Sequence, residues 1–265
     1  MPEAADVIDR SSVRSGQSTR PKGDVAEAKR QLVYELISAV SGLILALFMW
    51  GHMFFVGSIL LGYGSFDWLA EALEVVYIAQ PTVVIIFSLF LVHAIFASRK
   101  IPAQMRERKR FFRLGEELKK AGTEWNTSDD PPPIRPHTES WLWIWQVRTG
   151  MVMLVLGSFH LILMSMDILT DLFGDRIGIE AATSVLRTSE GLVWMYAVLL
   201  LCVEFHAGVG LYRLAVKWGR GKRVQRSTLM LMEKFIFWFF LGLGVVVLAV
   251  LAGWLPPPLA FLVGG

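Results

Sequence analysis

Five apolar stretches constrain this 265-residue chain more than any other feature: residues 31–62, 75–98, 141–167, 191–218 and 229–255. Each reaches the roughly 20 residues that an α-helix needs to cross a bilayer. Lipid offers no hydrogen bonds to a polypeptide backbone, so a span must satisfy its own polar groups, and runs of this length do so as helices. The fold class read here is all-α, an integral membrane bundle of five transmembrane helices occupying residues 31–255. Composition agrees. The chain is 54% hydrophobic before glycine is counted, already above the roughly 45–50% that soluble domains reach with glycine included, and its mean hydropathy is +0.50. Residues 1–30 form a polar tail that lacks the short apolar region and cleavage site of a signal peptide. Residues 256–265 form a short tail at the other end. A single cysteine, Cys202, excludes an internal disulfide, a Cys-rich zinc site, a thiolate-held iron–sulfur cluster and a CxxCH haem attachment; it reads as a small core residue. The net charge of +3 makes no case for nucleic-acid binding.

The charge is informative in its distribution. Residues 99–140, between the second and third spans, form a basic loop containing Arg99, Lys100, Arg106, Arg108, Lys109, Arg110, Arg113, Lys119 and Lys120. Arg220, Lys222, Arg223 and Arg226 lie between the fourth and fifth spans. The tail before the first span is also basic (Arg20, Lys22, Lys29, Arg30), whereas the other two connections carry Asp67, Glu71 and Glu74, then Asp167, Asp171, Asp175 and Glu180, against Arg176 and Arg187. The positive-inside rule then puts the amino terminus in the cytoplasm and the carboxyl terminus outside. Trp141, Trp143 and Trp145 read as an aromatic belt at the cytoplasmic start of the third span. The Pro131-Pro132-Pro133 run in the long basic loop cannot continue a helix. No internal repeat, phosphate loop, HExxH or serine-nucleophile signature is present.

Four of the five histidines lie deep in apolar spans, one in each of the first four: His52, His93, His160 and His206. An ionisable side chain in hydrocarbon needs partners and marks a functional site by default. Counted from the span centres, His52 and His160 both sit roughly 8 Å toward the outside, and His93 and His206 roughly 6–8 Å toward the cytoplasm. Two pairs at levels roughly 15 Å apart suit two bis-histidine b haems. Two axial imidazoles fill both open positions on the iron, as electron transfer prefers. Gly51, Gly157, Ala207, Gly208 and Gly210, near those histidines, would let a flat group approach the helices. His137, in the Pro-rich loop, reads as solvated.

Other ionisable residues flank these levels. Glu204, two residues before His206, is costly in an apolar run unless protonated or lining a wet path, and reads as a proton-transfer candidate, with a structural hydrogen bond to a haem or a neighbouring helix as the plain alternative. Glu74, at the outer entrance of the second span, suits a general base beside a quinol, whose oxidation releases two protons; a solvated loop acid is the plain alternative. Lys217, about three turns below His206, suits a haem propionate or snorkelling to lipid phosphate. Arg187 is placed likewise for the outer haem.

The segments 41–62 (SGLILALFMWGHMFFVGSILLG), 92–102 (VHAIFASRKIP), 157–160 (GSFH) and 203–219 (VEFHAGVGLYRLAVKWG) resemble the dihaem cytochrome b anchor subunit of bacterial quinol:fumarate reductases, of the five-helix single-anchor type within the succinate:quinone oxidoreductases. The likeness covers most of the chain from about residue 31. It implies a distal haem on His52 and His160, a proximal haem on His93 and His206, a quinol-site carboxylate at Glu74 and a proton-transfer carboxylate at Glu204. It also implies inner propionate contacts at Ser38, Trp143 and Lys217, with Ser38 standing where the family pattern has glutamine. The implied substrate is menaquinol and the implied location the bacterial inner membrane. The implied partners are an iron–sulfur subunit on the cytoplasmic face and a flavoprotein that reduces fumarate, or oxidises succinate in the reverse direction, with room for a dimer of the heterotrimer. Two rival readings are the cytochrome b subunit of a membrane-bound hydrogenase or formate dehydrogenase, and a haem-free proton channel or transporter using the same histidines and Glu204.

Overall fold

The computed structural model describes residues 22–99, 101–124, 138–169, 180–219 and 224–263. The tail before residue 22, Lys100, the Pro131–Pro133 run, His137, Asp171, Asp175, Arg176, Arg220, Lys222 and Arg223 lie outside them. Among the described residues every regular element is helical. Helix α1 (Lys22–Gly57) starts nine residues before the apolar run; its 36 residues make it about 54 Å long, far more than a hydrocarbon core of about 30 Å. A 3-10 turn (Ser58–Leu61) and Gly62, whose φ of 122° suits glycine alone, swing the chain into α2 (Tyr63–Val75). Helix α3 (Ala79–Ser98) follows, with Pro81 in its first turn, where the missing N–H costs nothing. Then come α4 (Ile101–Glu124), α5 (Thr138–Leu169), the short α6 (Ala181–Arg187), α7 (Val193–Lys217) and α8 (Arg226–Leu251).

Among the described residues, five helical stretches are long and apolar enough to cross a membrane, built on α1, α3, α5, α7 and α8, and their outer surfaces are greasy: Phe235, Val155 and Trp238 are about two-thirds exposed. This is a multi-pass membrane bundle. Helix α3 packs on α1, and α7 packs between α5 and α8, while α1 also touches α7 and α8. Gly244 brings α8 close to α7, since a Cβ there would lie 2.5 Å from Leu200 Cδ1. At the end away from the basic segments, Ile59, Leu60, Phe66, Ala181, Val247, Val250 and Leu251 form a buried cluster. Asp67 Oδ1 accepts the Ala181 N–H at 2.7 Å and joins the two acidic connections. The segment after α8 turns at Gly253 (φ 72°) and folds back, its Leu259 N–H donating to the Leu60 carbonyl at 2.9 Å. It is thus more than a loose tail.

The basic stretch expected as loop is helical as far as Glu124. Its half-buried positions, Ile101, Gln104, Arg108 and Gly115, recur at helical spacing. Proline stops a helix only where it stands, after residue 130, and the preceding run of Arg, Lys, Glu and Leu is rich in strong helix formers. The three tryptophans do not act as one belt. At 100° per residue Trp141 and Trp145 share a face and Trp143 points the other way: the first two stack at 6.1 Å and are nearly half exposed, while Trp143 is 8% exposed.

Candidate functional site

A cavity of about 1230 Å³ runs along the bundle between α1, α3, α5 and α7, with α8 closing one side. It exceeds the roughly 300–1,000 Å³ of a pocket for one small ligand. All four intramembrane histidines line it.

Toward the basic end, His93 on α3 and His206 on α7 face each other with ring centroids 6.2 Å apart and planes at 88°. Each ring is held by its Nδ1. His93 Nδ1 lies 3.0 Å from the Ser38 carbonyl of α1, and His206 Nδ1 lies 2.8 Å from the Gln146 carbonyl of α5. A carbonyl only accepts, so both Nδ1 atoms carry the proton and both Nε2 lone pairs remain for another partner. That is the tautomer usual for a metal-binding imidazole, whose other ring nitrogen donates to a carbonyl. Two metal–nitrogen bonds of about 2.0 Å each, end to end, put opposed ring centres about 6 Å apart, which is the separation found. Among the described residues no group of three or more His, Cys, Asp or Glu side chains converges. A pair of imidazoles suits a metal whose other positions a macrocycle supplies; the residues fit a bis-histidine haem.

His52 and His160 form the other level. Arg187 lines the cavity with them. The His52 ring stacks on Phe48 at 5.7 Å, and the His160 ring meets Tyr196 edge-on at 5.4 Å. Here Nδ1 of His160 is buried without a hydrogen-bond partner. The two levels are separated along the same helices. The His93 ring lies against Gly42 of α1 and the His206 ring against Gly150 of α5, and His52 and His160 each follow ten residues later, about 15 Å farther on.

The other predicted residues fall as follows. Ser38, Trp143, Lys217, Arg187 and Glu204 line the cavity, and Glu74 does not, although Leu73 beside it does. Ser38 contributes its backbone carbonyl to His93. Trp143 lies under the Arg108 guanidinium at 4.3 Å. Lys217 is ion-paired with Glu35. Arg187, 5% exposed, donates to Ser184 Oγ at 3.3 Å. Glu204 is 2% exposed, with Oε1 lacking a hydrogen-bond partner. Of the small residues singled out, Gly51, Gly157, Ala207 and Gly210 line the cavity, whereas Gly208 faces Glu233 of α8. Cys202 is a buried free thiol.

Sequence reasoning missed Gln146, which works twice. Its carbonyl holds His206, and its side-chain oxygen accepts from Arg213 Nη1 at 2.6 Å. It also missed a repeat. Ser38, Gly42 and His52 on α1 match Gln146, Gly150 and His160 on α5, with intervals of four and ten residues in each case. The common signal is a glycine ten residues before a histidine, too sparse to stand out as sequence similarity.

The profile of the Succinate dehydrogenase/Fumarate reductase transmembrane subunit family matches residues 126–243. The fumarate reductase cytochrome b subunit of Wolinella succinogenes is 38% identical over 189 residues, covering 68% of this chain; the alignment spans 64% of the relative's length. The protein of the same name from Helicobacter pylori is 32% identical over 219 residues, covering 80% of this chain and 76% of that relative. With five helices able to cross a bilayer and relatives of this kind, the chain is a multi-pass protein of the bacterial inner membrane and belongs to the family of fumarate reductase cytochrome b subunits.

Proposed function

We propose that this chain oxidises menaquinol near the outer face of the membrane and conducts the electrons inward, through two b haems, to an iron–sulfur subunit that feeds a fumarate-reducing flavoprotein. The observation carrying this reading is the His93–His206 pair, 6.2 Å apart with both Nδ1 atoms committed to backbone carbonyls. Bis-imidazole haem supplies one-electron transfer with no position open to oxygen. His93 and His206 would hold the proximal group, and His52 and His160 the distal one. Lys217 and Trp143, lining the basic end of the cavity, would orient the proximal carboxylates; Arg187, buried at the cavity wall, would do so for the distal ones. Ser38 acts through its carbonyl on His93.

Oxidation of a quinol yields the quinone, two electrons and two protons. Glu74 receives protons there as a general base; its place at the end of α2, next to the cavity-lining Leu73, supports that role. Glu204, buried at the cavity wall, hands protons along the membrane interior. The basic end of the bundle, with Arg99, Lys217 and Arg226, faces the cytoplasm and receives the partner subunits. A reduced-minus-oxidised optical spectrum of the purified protein, with pyridine haemochrome quantitation and a redox titration, tests the reading. Two b haems per chain are expected; a haem-free, folded protein would leave the histidines to a proton relay and overturn it.

A further inference from the structure

We infer that Gly42 and Gly150 are positioning residues for the proximal haem: their missing Cβ atoms are the seats of the His93 and His206 rings. The inference rests on the haem reading above. A Cβ built on Gly42 would lie 2.7 Å from His93 Cε1 and 3.0 Å from its Nδ1; one on Gly150 would lie 2.8 Å from His206 Cε1 and 3.2 Å from its Nδ1. Contacts this short require something to move, and neither ring can yield freely. Each is pinned by Nδ1 to the carbonyl four residues before the glycine, Ser38 on α1 and Gln146 on α5, and Ser41 Oγ lies 3.4 Å from His93 Nδ1 as well. The two seats are alike: a helix offers a carbonyl and, one turn on, a bare Cα, and a histidine from the neighbouring helix lies in the notch. An added methyl must either break the Nδ1 bond or tilt the ring, and both take Nε2 off the line joining the two imidazoles. Metal sites depend strongly on the outer hydrogen bonds that orient their histidines.

The distal level is built otherwise. Gly51 beside His52 has nothing within 4 Å of its added Cβ, and Gly157 meets the Phe90 ring at an ordinary 3.5 Å. The glycine seats for histidine rings thus belong to the proximal level. Gly42→Ala and Gly150→Ala, made separately in the full chain and purified, are expected to fall from two haems per chain to one by pyridine haemochrome, with the midpoint and low-spin ferric EPR signal of the distal haem kept. Gly242→Ala on α8, whose added Cβ meets no atom within 4 Å and which does not line the cavity, is expected to keep both. The remaining distal haem reports that the bundle has folded. Two haems with unchanged proximal EPR signals in both alanine variants would overturn the inference, as would loss of both haems together, which would make the glycines general packing residues. A wild-type chain without haem would instead sink the reading beneath it.

Discussion

An imidazole surrounded by hydrocarbon has two nitrogens to satisfy, and the four histidines solve that problem in two ways. His93 and His206 give one nitrogen to a carbonyl of the adjacent helix, whereas His52 and His160 are held by aromatic rings, with Nδ1 of His160 making no hydrogen bond. On the proposed reading the ligands of the two levels come from different helices, so removing one should spare the other level. His160→Ala is expected to lose the distal haem and keep the proximal one, read as one haem per chain with one potentiometric transition; His93→Ala should do the converse. Disappearance of both haems from a folded His160→Ala protein would contradict the assigned pairs. Glu74 is set apart from the cavity, so Glu74→Gln should retain both haems while quinol oxidation falls by on the order of 10²-fold or more, the usual worth of a general base. Unchanged turnover with a quinol analogue would remove Glu74 from the chemistry. At this scale the sequence made the four histidines legible, because an ionisable residue in an apolar run stands out. The Ser38 and Gln146 carbonyls were illegible, since every residue has one and only the packed helices select which is used.

At the scale of elements, the apolar runs located the membrane helices well and their ends less well. Hydropathy sees where lipid begins, but a helix continues past that point for as long as its residues allow, as α1 does back to Lys22. The starts and stops follow backbone chemistry instead. Between α6 and α7 the chain passes through a wide π-type turn, Thr188–Leu192, in which Glu190 has ψ 20° and Gly191 has φ 114°. The kink separates Arg187, buried at the cavity wall, from α7. A Cβ at Gly191 meets no atom within 4 Å, so Gly191→Ala tests conformation alone. A non-glycine residue at such a φ costs on the order of 1–3 kcal/mol. Thermal unfolding followed by loss of the haem absorption is expected to come at a lower temperature in Gly191→Ala, with haem stoichiometry unchanged below the transition. An unaltered midpoint would show that the turn relaxes without strain.

For the whole molecule, the polar contacts at the two ends of the bundle turn charge into direction. At one end Arg99 of the α3 terminus bonds Gln31 and covers the Tyr34 ring of α1 at 4.0 Å, Arg108 of α4 bonds the Ser140 carbonyl at the start of α5, Lys217 pairs with Glu35, and Arg226 pairs with Glu139 at 3.2 Å. Every cationic partner in these ties belongs to the end nearer His93 and His206. At the other end stand Asp67, Glu71, Glu74 and Glu180. Loops rich in Lys and Arg are retained in the cytoplasm, and five spans put the two termini on opposite sides. A fluorescent protein that matures only in the cytoplasm should therefore be bright when fused ahead of Met1, and alkaline phosphatase, active only outside, should work when fused after Gly265. The reverse pattern would turn the bundle over, setting Glu74 and the distal histidines against the cytoplasm. Electrons moving from the acidic end to the basic end would then leave on the side away from any cytoplasmic iron–sulfur partner. The orientation thus decides whether the order of the two histidine pairs, read from Glu74 toward Lys217, is also the order of electron flow.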